Sequence, residues 1–273
     1  MKRRWLSALT LGALVALAVF SLAPLLWMVS VSLMPAGEAT AAPPRLLPSA
    51  PTLAHYEALF SRLPLARAFA NSLLLASAAT ALGLLTNSAA GYAFAKLRFR
   101  GRDALSRALL AALVIPGQVA MLPLFLLVKE LGLVNTYAGV LVPSLASIFG
   151  IFLVRQYVLA IPDALLDAAR LDGAGELRVF TAVVLPLCRP VLVTLGTFTF
   201  LGAWNDFLWP LVVLSDEALQ PLPVALASLL GEHAPDVEIL MAGSVLTVLP
   251  VVVLFVALQR HYLRGILAGS LRG

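Results

Sequence analysis

Residues 70–94 read ANSLLLASAATALGLLTNSAAGYAF and contain no charged side chain. An α-helix of this length reaches about 37 Å, which exceeds the hydrocarbon core of a bilayer at about 30 Å. The apolar residues fall on every face of such a helix, unlike the single apolar stripe of a soluble surface helix. They also lack the period-two alternation of an outer-membrane barrel strand. The stretch therefore predicts a membrane-spanning helix.

Five further runs of the same apolar character occur along the chain. They cover residues 9–33, 108–128, 137–158, 190–214 and 239–258, and each is long enough to cross a bilayer. Pro116 and Pro123 are expected to bend the third helix, and Pro143 the start of the fourth. The sequence thus predicts an all-α, polytopic membrane protein with six transmembrane helices in a single domain over residues 1–273.

The composition of the 273-residue chain excludes the other broad classes. It is 61% hydrophobic and 12% charged, with a mean hydropathy of +0.96, whereas a soluble domain is about 25% charged. The charges are too few to cover a soluble surface, to keep a chain disordered or to bind nucleic acid. A single cysteine, Cys188, excludes an intrachain disulfide.

The first apolar run has two interpretations, because Lys2, Arg3 and Arg4 precede it as in a secretory signal peptide. The apolar region of a signal peptide is about 7–15 residues long, and this run is longer. We therefore favour an uncleaved anchor helix.

Lys and Arg are distributed unevenly between alternate segments, with 15 on one side of the predicted membrane and 4 on the other. Cytoplasmic loops carry the excess of these residues, so both termini are predicted to be cytoplasmic. Residues 215–237 contain four acidic residues and no Lys or Arg, which agrees with an external position. A second external segment, residues 35–69, is rich in proline and is either a spacer or a surface for an external partner.

The longest predicted cytoplasmic connection, residues 161–190, reads IPDALLDAARLDGAGELRVFTAVVLPLCRP. Asp163 is a candidate cap for a helix that begins at Ala164, and Gly173 is suited to the left-handed turn past its end. A second helix is expected from about Gly175 to Leu185, where Pro186 disfavours helical geometry in the preceding residue.

The first of these two helices has a mixed surface. Leu165, Ala168, Ala169 and Leu171 are predicted to form its apolar face, and Asp167 is expected to pair with Arg170 one turn later. The helix is either an interfacial linker at the mouth of the bundle or a docking surface whose small side chains let a second protein approach closely.

The same segment resembles the EAA loop of binding-protein-dependent ABC importer permeases. The likeness consists of Asp167-Ala168-Ala169, Gly173 after three residues, Val183 after nine more, and Leu185-Pro186. Asp167 and Val183 depart from the family pattern, which usually has Glu and Ile there.

Further stretches resemble the carbohydrate-uptake (maltose-type) branch of that family, and in particular the six-helix partner of its permease pair. These stretches are Asn71-Ser72, Gly91 to Phe94, Leu171 to Ala174, Phe180, Trp204 to Pro210, and Arg264 to Gly273.

The resemblance implies a permease subunit of the bacterial cytoplasmic (inner) membrane. Its expected partners are a second permease subunit, a cytoplasmic ATP-binding subunit dimer, an extracytoplasmic solute-binding protein, membrane lipid, and a sugar, oligosaccharide or related polyol as substrate. Loop 161–189 then couples ATP hydrolysis to transport. The residues that match or adjoin the motif are Asp167, Ala168, Ala169, Arg170, Asp172, Gly173, Leu185 and Pro186.

The chain itself is not expected to be an enzyme. A Walker A motif needs Gly-Lys before Ser or Thr, and the three lysines follow Met1, Ala95 and Val128, so ATP is used by the partner subunit. No cofactor is expected, and His55, His233 and His261 lack the spacing of metal ligands.

Four residues are candidates for the substrate path. Asp206 is the acidic residue that falls inside a predicted span, which marks a functional candidate, and Trp204 and Asn205 beside it suit sugar binding. Gln118 either lines the path or bonds another helix. The alternative for Asp206 is a structural role, such as capping a break before Pro210 or bonding a neighbouring helix.

Two other classes of function compete with this hypothesis. An ion-coupled secondary transporter is expected to contain charged relays and inverted repeats, and the sequence has one intramembrane acid and no evident repeat. A structural scaffold gives no reason for the spaced loop pattern.

Overall fold

The computed structural model describes residues 2–43, 45–230 and 236–270, with side chains described for 9–43, 45–229 and 236–257. Within these residues the secondary structure is helical and contains no strand. The long helices are α1 (Lys2–Ser32), α3 (Leu65–Lys96), α11 (Arg189–Trp204) and α14 (Val237–Ser270). The shorter helices are α2 (Ala54–Arg62), α4 (Arg102–Ala112), α5 (Met121–Glu130), α6 (Tyr137–Leu141), α7 (Ile148–Leu159), α8 (Asp163–Leu171), α9 (Glu176–Val179), α10 (Leu185–Leu187), α12 (Leu208–Val213) and α13 (Leu222–Ala227).

The described helices reproduce most of the predicted spans. Leu9–Ser32, Leu65–Lys96 and Val237–Ala257 are each long and apolar enough to cross a membrane. Two bent pairs also qualify as single spans, namely Tyr137–Ser144 with Ile148–Leu159 at 42° and Glu176–Leu187 with Arg189–Trp204 at 81°. These residues therefore give three spans, or up to five, and the predicted count of six is not confirmed.

The predicted third span, residues 108–128, is interrupted. Helix α4 ends at Ala112 and α5 begins at Met121, and residues 113–120 form successive turns. Pro116 lies at the centre of this interruption and has no backbone N–H to continue the helix. Pro123 lies in the first turn of α5, where proline is tolerated.

The chain divides into two compact units. The first comprises residues up to Ala66 and from Ala225 to Val253. In it the proline-rich segment is fastened by buried polar contacts. His55 Nε2 lies 2.8 Å from the carbonyl oxygen of Met34, and Glu238, itself 2% exposed, accepts the N–H of Ala39 at 2.9 Å. The segment is thus held in place, which an unattached spacer would not be.

The second unit comprises residues from Arg67 to Val224 and from Leu254 onward. One apolar core gathers residues from α3, α7, α8, α11 and the connections between α7 and α8 and between α8 and α11. Its members are Tyr92, Val154, Val158, Ile161, Leu166, Val179, Phe180, Val184, Cys188, Val191 and Leu195. This core holds the predicted coupling loop against the helices around it.

At Gly91 there is no room for a side chain between α3 and α7. A Cβ atom at this position would lie 2.8 Å from Val154 side-chain atoms and 3.0 Å from the backbone nitrogen of Arg155. We expect Gly91→Ala to lower the free energy of unfolding by about 1–3 kcal/mol, because the two helix backbones must separate.

Thermal unfolding of the detergent-solubilised protein measures this effect. Gly83→Ala on the same helix is the matched control, since its added Cβ would lie 3.5 Å from its nearest neighbour, an ordinary contact. Equal melting temperatures of the two variants would contradict the close-packing explanation.

Candidate functional site

Helix α8, the predicted coupling helix, begins one residue earlier than the sequence indicated. Pro162 is extended and occupies the cap position, and Asp163 is already helical. The prediction that Asp163 caps the helix is wrong, because its carboxylate instead accepts a hydrogen bond from Lys96 Nζ at 2.6 Å. This hydrogen bond and the charge of Lys96 hold the pKa of Asp163 below its ordinary value.

The end of α8 confirms the predicted glycine turn. Gly173 has a φ of +83°, and its N–H donates to the carbonyl of Arg170, while the N–H of Ala174 donates to that of Ala169. This pair of bonds is the Schellman motif, in which a left-handed residue closes the helix. Asp172 is the residue immediately before the turn.

Arg170 forms ion pairs on the exposed side of this turn. Its Nη1 donates to Asp167 at 2.8 Å, which confirms the predicted pair, and its Nε donates to Glu176 at 2.8 Å. The hydrogen bonds with Glu176 and then Asp167 raise the pKa of Arg170 above its ordinary value. All three side chains are partly exposed, so the pairs fix geometry and contribute little to the free energy of unfolding.

The last turn of α3 holds the start of α8 and the start of α9, which the sequence did not predict. Tyr92 donates its hydroxyl to Glu176 at 2.5 Å. Lys96, one helical turn later, donates to the carbonyl of Ile161 at 2.7 Å as well as to Asp163. One sign of this contact was present in the sequence, because the segment Gly91 to Phe94 resembles the permease family, but the resemblance assigned no role to it.

The predicted apolar face of α8 points mostly outward, an orientation that the sequence did not specify. Leu166 is fully buried in the core, whereas Leu165 is 49% and Leu171 89% exposed. Ala168 is also exposed, and Ala169 packs partly against the core. Helix α8 therefore buries one large side chain and presents leucine and alanine to the outside.

The segment after the turn differs from the single helix that was predicted. Helix α9 passes into a wider π-helical turn at Phe180–Val184 and then into α10. Leu185 is helical, with φ −56° and ψ −44°, so the prediction that Pro186 displaces it is wrong. Pro186 lies in the first turn of α10, where a missing N–H costs little, and buried Val184 and Cys188 hold the chain on both sides.

Three of the four candidate substrate-path residues, Trp204, Asn205 and Asp206, lie at the end of α11, where the helix breaks. The chain leaves the helix after Trp204 and resumes it at Leu208. Trp204 is 1% exposed and packs edge-on against Phe69, with ring centroids 5.5 Å apart, so it belongs to an aromatic core. Asn205 is exposed and donates to the carbonyl of Leu201 at 2.8 Å.

Asp206 lies at the break and lines a cavity of about 260 Å³. Its Oδ1 accepts the N–H of Trp209 at 3.4 Å, at the start of the next helix. The other residues around the cavity are mainly apolar: Leu75, Ala79, Leu124, Val140, Leu141, Pro143, Ser144, Thr199, Gly202, Ala203, Trp209 and Pro210. Such a cavity, with few polar groups, has the character of a small-ligand pocket, and its volume is slightly below the usual range of about 300–1,000 Å³.

The four candidates are thus not brought together. Asp206 lines the cavity, whereas Trp204 is buried beside other rings and Gln118 is exposed in the turns between α4 and α5. Ser144, Thr199 and Trp209 line the cavity and were not predicted.

Long apolar helices and bent helix pairs indicate a polytopic helical membrane protein. Residues 79–267 match the family described as the binding-protein-dependent transport system inner membrane component. The chain therefore belongs to this family, and the resemblance found in the sequence is confirmed.

Individual relatives agree with this assignment. The chain is 38% identical to the arabinooligosaccharides transport system permease protein AraQ of Halalkalibacterium halodurans, over 98% of this chain and 96% of the relative. It is 35% identical to the lactose transport system permease protein LacG of Rhizobium radiobacter, over 78% of each chain.

A solved structure shares the fold. It is the crystal structure of a bacterial ABC transporter involved in the import of the acidic polysaccharide alginate. The match has a TM-score of 0.83 at 24% identity and covers 95% of this chain and 97% of the other. The chain thus has the fold of an ABC importer permease.

Proposed function

We propose that this chain is the permease subunit of an importer for a sugar, an oligosaccharide or a related polyol. A separate ATP-binding subunit dimer hydrolyses ATP, a second permease completes the membrane pathway, and an extracytoplasmic solute-binding protein delivers the substrate. The names of the relatives, which transport arabinooligosaccharides and lactose, support the substrate class. The absence of a Gly-Lys pair from the sequence supports an ATPase site on another subunit.

The observation that carries the coupling role is the surface of α8. Leu165, Ala168 and Leu171 are exposed, while Leu166 and the contacts with α3 keep the helix fixed. Exposed apolar side chains on a rigid helix suit docking in a groove of another protein. The ATP-binding subunit would contact this face, and Asp167, Arg170 and Asp172 would flank it.

The helical segment Glu176–Leu187, which follows α8, would transmit a movement of α8 to the membrane helices. Leu185 and Pro186 lie in α10, just before the 81° bend that separates the helical segment Glu176–Leu187 from α11. Because Val184 and Cys188 on either side are buried in the core, displacement of α8 moves the start of α11 as well. The excess of Lys and Arg on the same side supports a cytoplasmic position of this loop and of both termini in the inner membrane.

Transport measurements in membrane vesicles test the proposal. Vesicles that contain both permeases and the ATP-binding subunits are expected to take up labelled arabinooligosaccharide or lactose when ATP and the solute-binding protein are present. Omission of either component provides the control. Uptake driven by an ion gradient without ATP would contradict the proposal and favour a secondary transporter.

Asp206 is proposed to bind a substrate hydroxyl group in the cavity. Asp206→Asn keeps an oxygen that can accept the N–H of Trp209, but it removes the charge. We expect uptake to fall about five- to tenfold while the complex still assembles, because hydrogen bonds to a carboxylate are roughly twice as strong as neutral ones.

Uptake and ATPase activity measured on the same vesicles separate binding from assembly. Asp206→Ala also removes the hydrogen bond with the N–H of Trp209 and is the comparison variant. Wild-type uptake by Asp206→Asn, together with a loss in Asp206→Ala, would show that Asp206 only holds the start of α12.

A further inference from the structure

A second polar cluster lies near the start of α3, far from the coupling helix. Asn71 is 6% exposed, and its amide nitrogen donates to the carbonyl oxygens of Ala218 and Gln220, both at 3.0 Å. Its Oδ1 accepts the hydroxyl of Tyr137 at 2.7 Å. Both N–H groups and the carbonyl of this amide are therefore used.

Ser72 extends the cluster by one residue. Its Oγ accepts the backbone N–H of Leu222 at 2.7 Å, and both groups are buried. Asn71, Ser72 and Tyr137 thus hold the segment from Ala218 to Leu222 against α3 and α6. We name this set of contacts the outer latch.

The outer latch lies one helical turn from the cavity on two separate helices. Asn71 precedes Leu75 by four residues on α3, and Tyr137 precedes Val140 and Leu141 on α6, and all three of those apolar residues line the cavity. Residues at this spacing share a helix face. The segment held by the latch also follows α12, whose Trp209 and Pro210 line the same cavity.

The latch and the coupling loop occupy opposite ends of one continuous helix. Asn71 and Tyr92 both belong to α3, and 21 residues of helix place them about 32 Å apart. In the proposed orientation the latch is therefore on the external side of the cavity that contains Asp206.

We propose that the outer latch closes the external end of the Asp206 cavity, and that Asn71 is its positioning residue. This inference rests on the proposed function, because the latch must open to admit a solute from the external partner. Each hydrogen bond shifts such an equilibrium by roughly two- to tenfold. Loss of the three bonds of Asn71 shifts the population towards the externally open state by at least about tenfold.

Labelling of a cysteine in the cavity tests the latch directly. In a Cys188→Ala background of the complete transporter, Thr199→Cys places a thiol on the cavity wall, and a membrane-impermeant maleimide is added from the external side. We expect labelling about tenfold faster with Asn71→Ala and about two- to threefold faster with Tyr137→Phe, which removes one hydroxyl.

Two controls accompany the measurement. Thr194→Ala removes a hydroxyl that bonds only the carbonyl of Pro190 in its own helix and is expected to leave the rate unchanged. Ser61→Cys, an exposed site on α2, normalises the amount of reagent that reaches the external face.

Failure of the latch and failure of the proposed function give different results. Equal labelling rates in the parent and in Tyr137→Phe, in vesicles that perform ATP-driven sugar uptake, overturn the latch. Absence of that uptake in the wild type overturns the proposed function. Tyr137→Phe also decides the outcome if Asn71→Ala does not reach the membrane, because it leaves the three backbone contacts of Asn71 and Ser72 in place.

Discussion

Gly173→Pro is expected to reduce ATP-driven uptake by at least about thirtyfold. Gly173 has a φ of +83°, whereas proline is confined to a φ near −65°. The substitution also removes the N–H that donates to the carbonyl of Arg170. The turn at the end of α8 must therefore unwind, and the positions of Arg170 and Glu176 relative to each other are lost.

The matched control is two residues away. Gly175 has a φ of −69° and a ψ of 161°, which proline adopts without strain, so Gly175→Pro is expected to retain most of the uptake. The measurement is sugar uptake together with ATPase activity in vesicles that contain all subunits. Equal uptake by the two proline variants would contradict the role of the left-handed turn.

Membrane insertion is expected to persist in Gly173→Pro, because the turn lies outside the apolar spans. The amount of the variant chain in the membrane, measured beside uptake, therefore distinguishes uncoupling from loss of the protein. Gly173→Ala gives an intermediate test, since a left-handed conformation costs an ordinary residue roughly 1–2 kcal/mol.

Features that depend on neighbours in the sequence were predictable from it. The turn at Gly173 and the pair of Asp167 with Arg170 require only residues within one or two helical turns of each other. Three of the apolar spans, and up to five with the bent pairs, were also predictable, because the thickness of the bilayer sets a length that a single sequence reveals.

Features that depend on distant residues were not predictable. Tyr92 meets Glu176 across 84 positions, and Asn71 meets Ala218 across 147, and no local pattern specifies either partner. The two leucines Leu165 and Leu166 are equally apolar, so the sequence does not show which of them faces the core. Tryptophan is a residue type suited to sugar binding, yet the rings of Phe69 and Phe200 pack against Trp204.

The two adjacent leucines of α8 allow stability and docking to be separated. Leu166 is fully buried, and Leu166→Ala is expected to lower the free energy of unfolding by about 2–5 kcal/mol, as is typical when a large core side chain is truncated. Leu165 is 49% exposed, and Leu165→Ala is expected to change that free energy by no more than about 0.5 kcal/mol.

For binding of the ATP-binding subunit we expect the opposite order, with Leu165→Ala having a larger effect than Leu166→Ala. Leu165→Ala removes apolar surface from the proposed docking face, and loss of a central interface side chain costs about 1–2 kcal/mol, or roughly five- to thirtyfold in affinity. Thermal unfolding of the solubilised chain measures the first effect, and co-purification with the ATP-binding subunit at limiting concentration measures the second. Unchanged affinity of Leu165→Ala would place the docking face elsewhere on the loop, whereas unchanged melting of Leu166→Ala would contradict its position in the core. If both expectations hold, the same helix fixes its position through one leucine and binds its partner through the next.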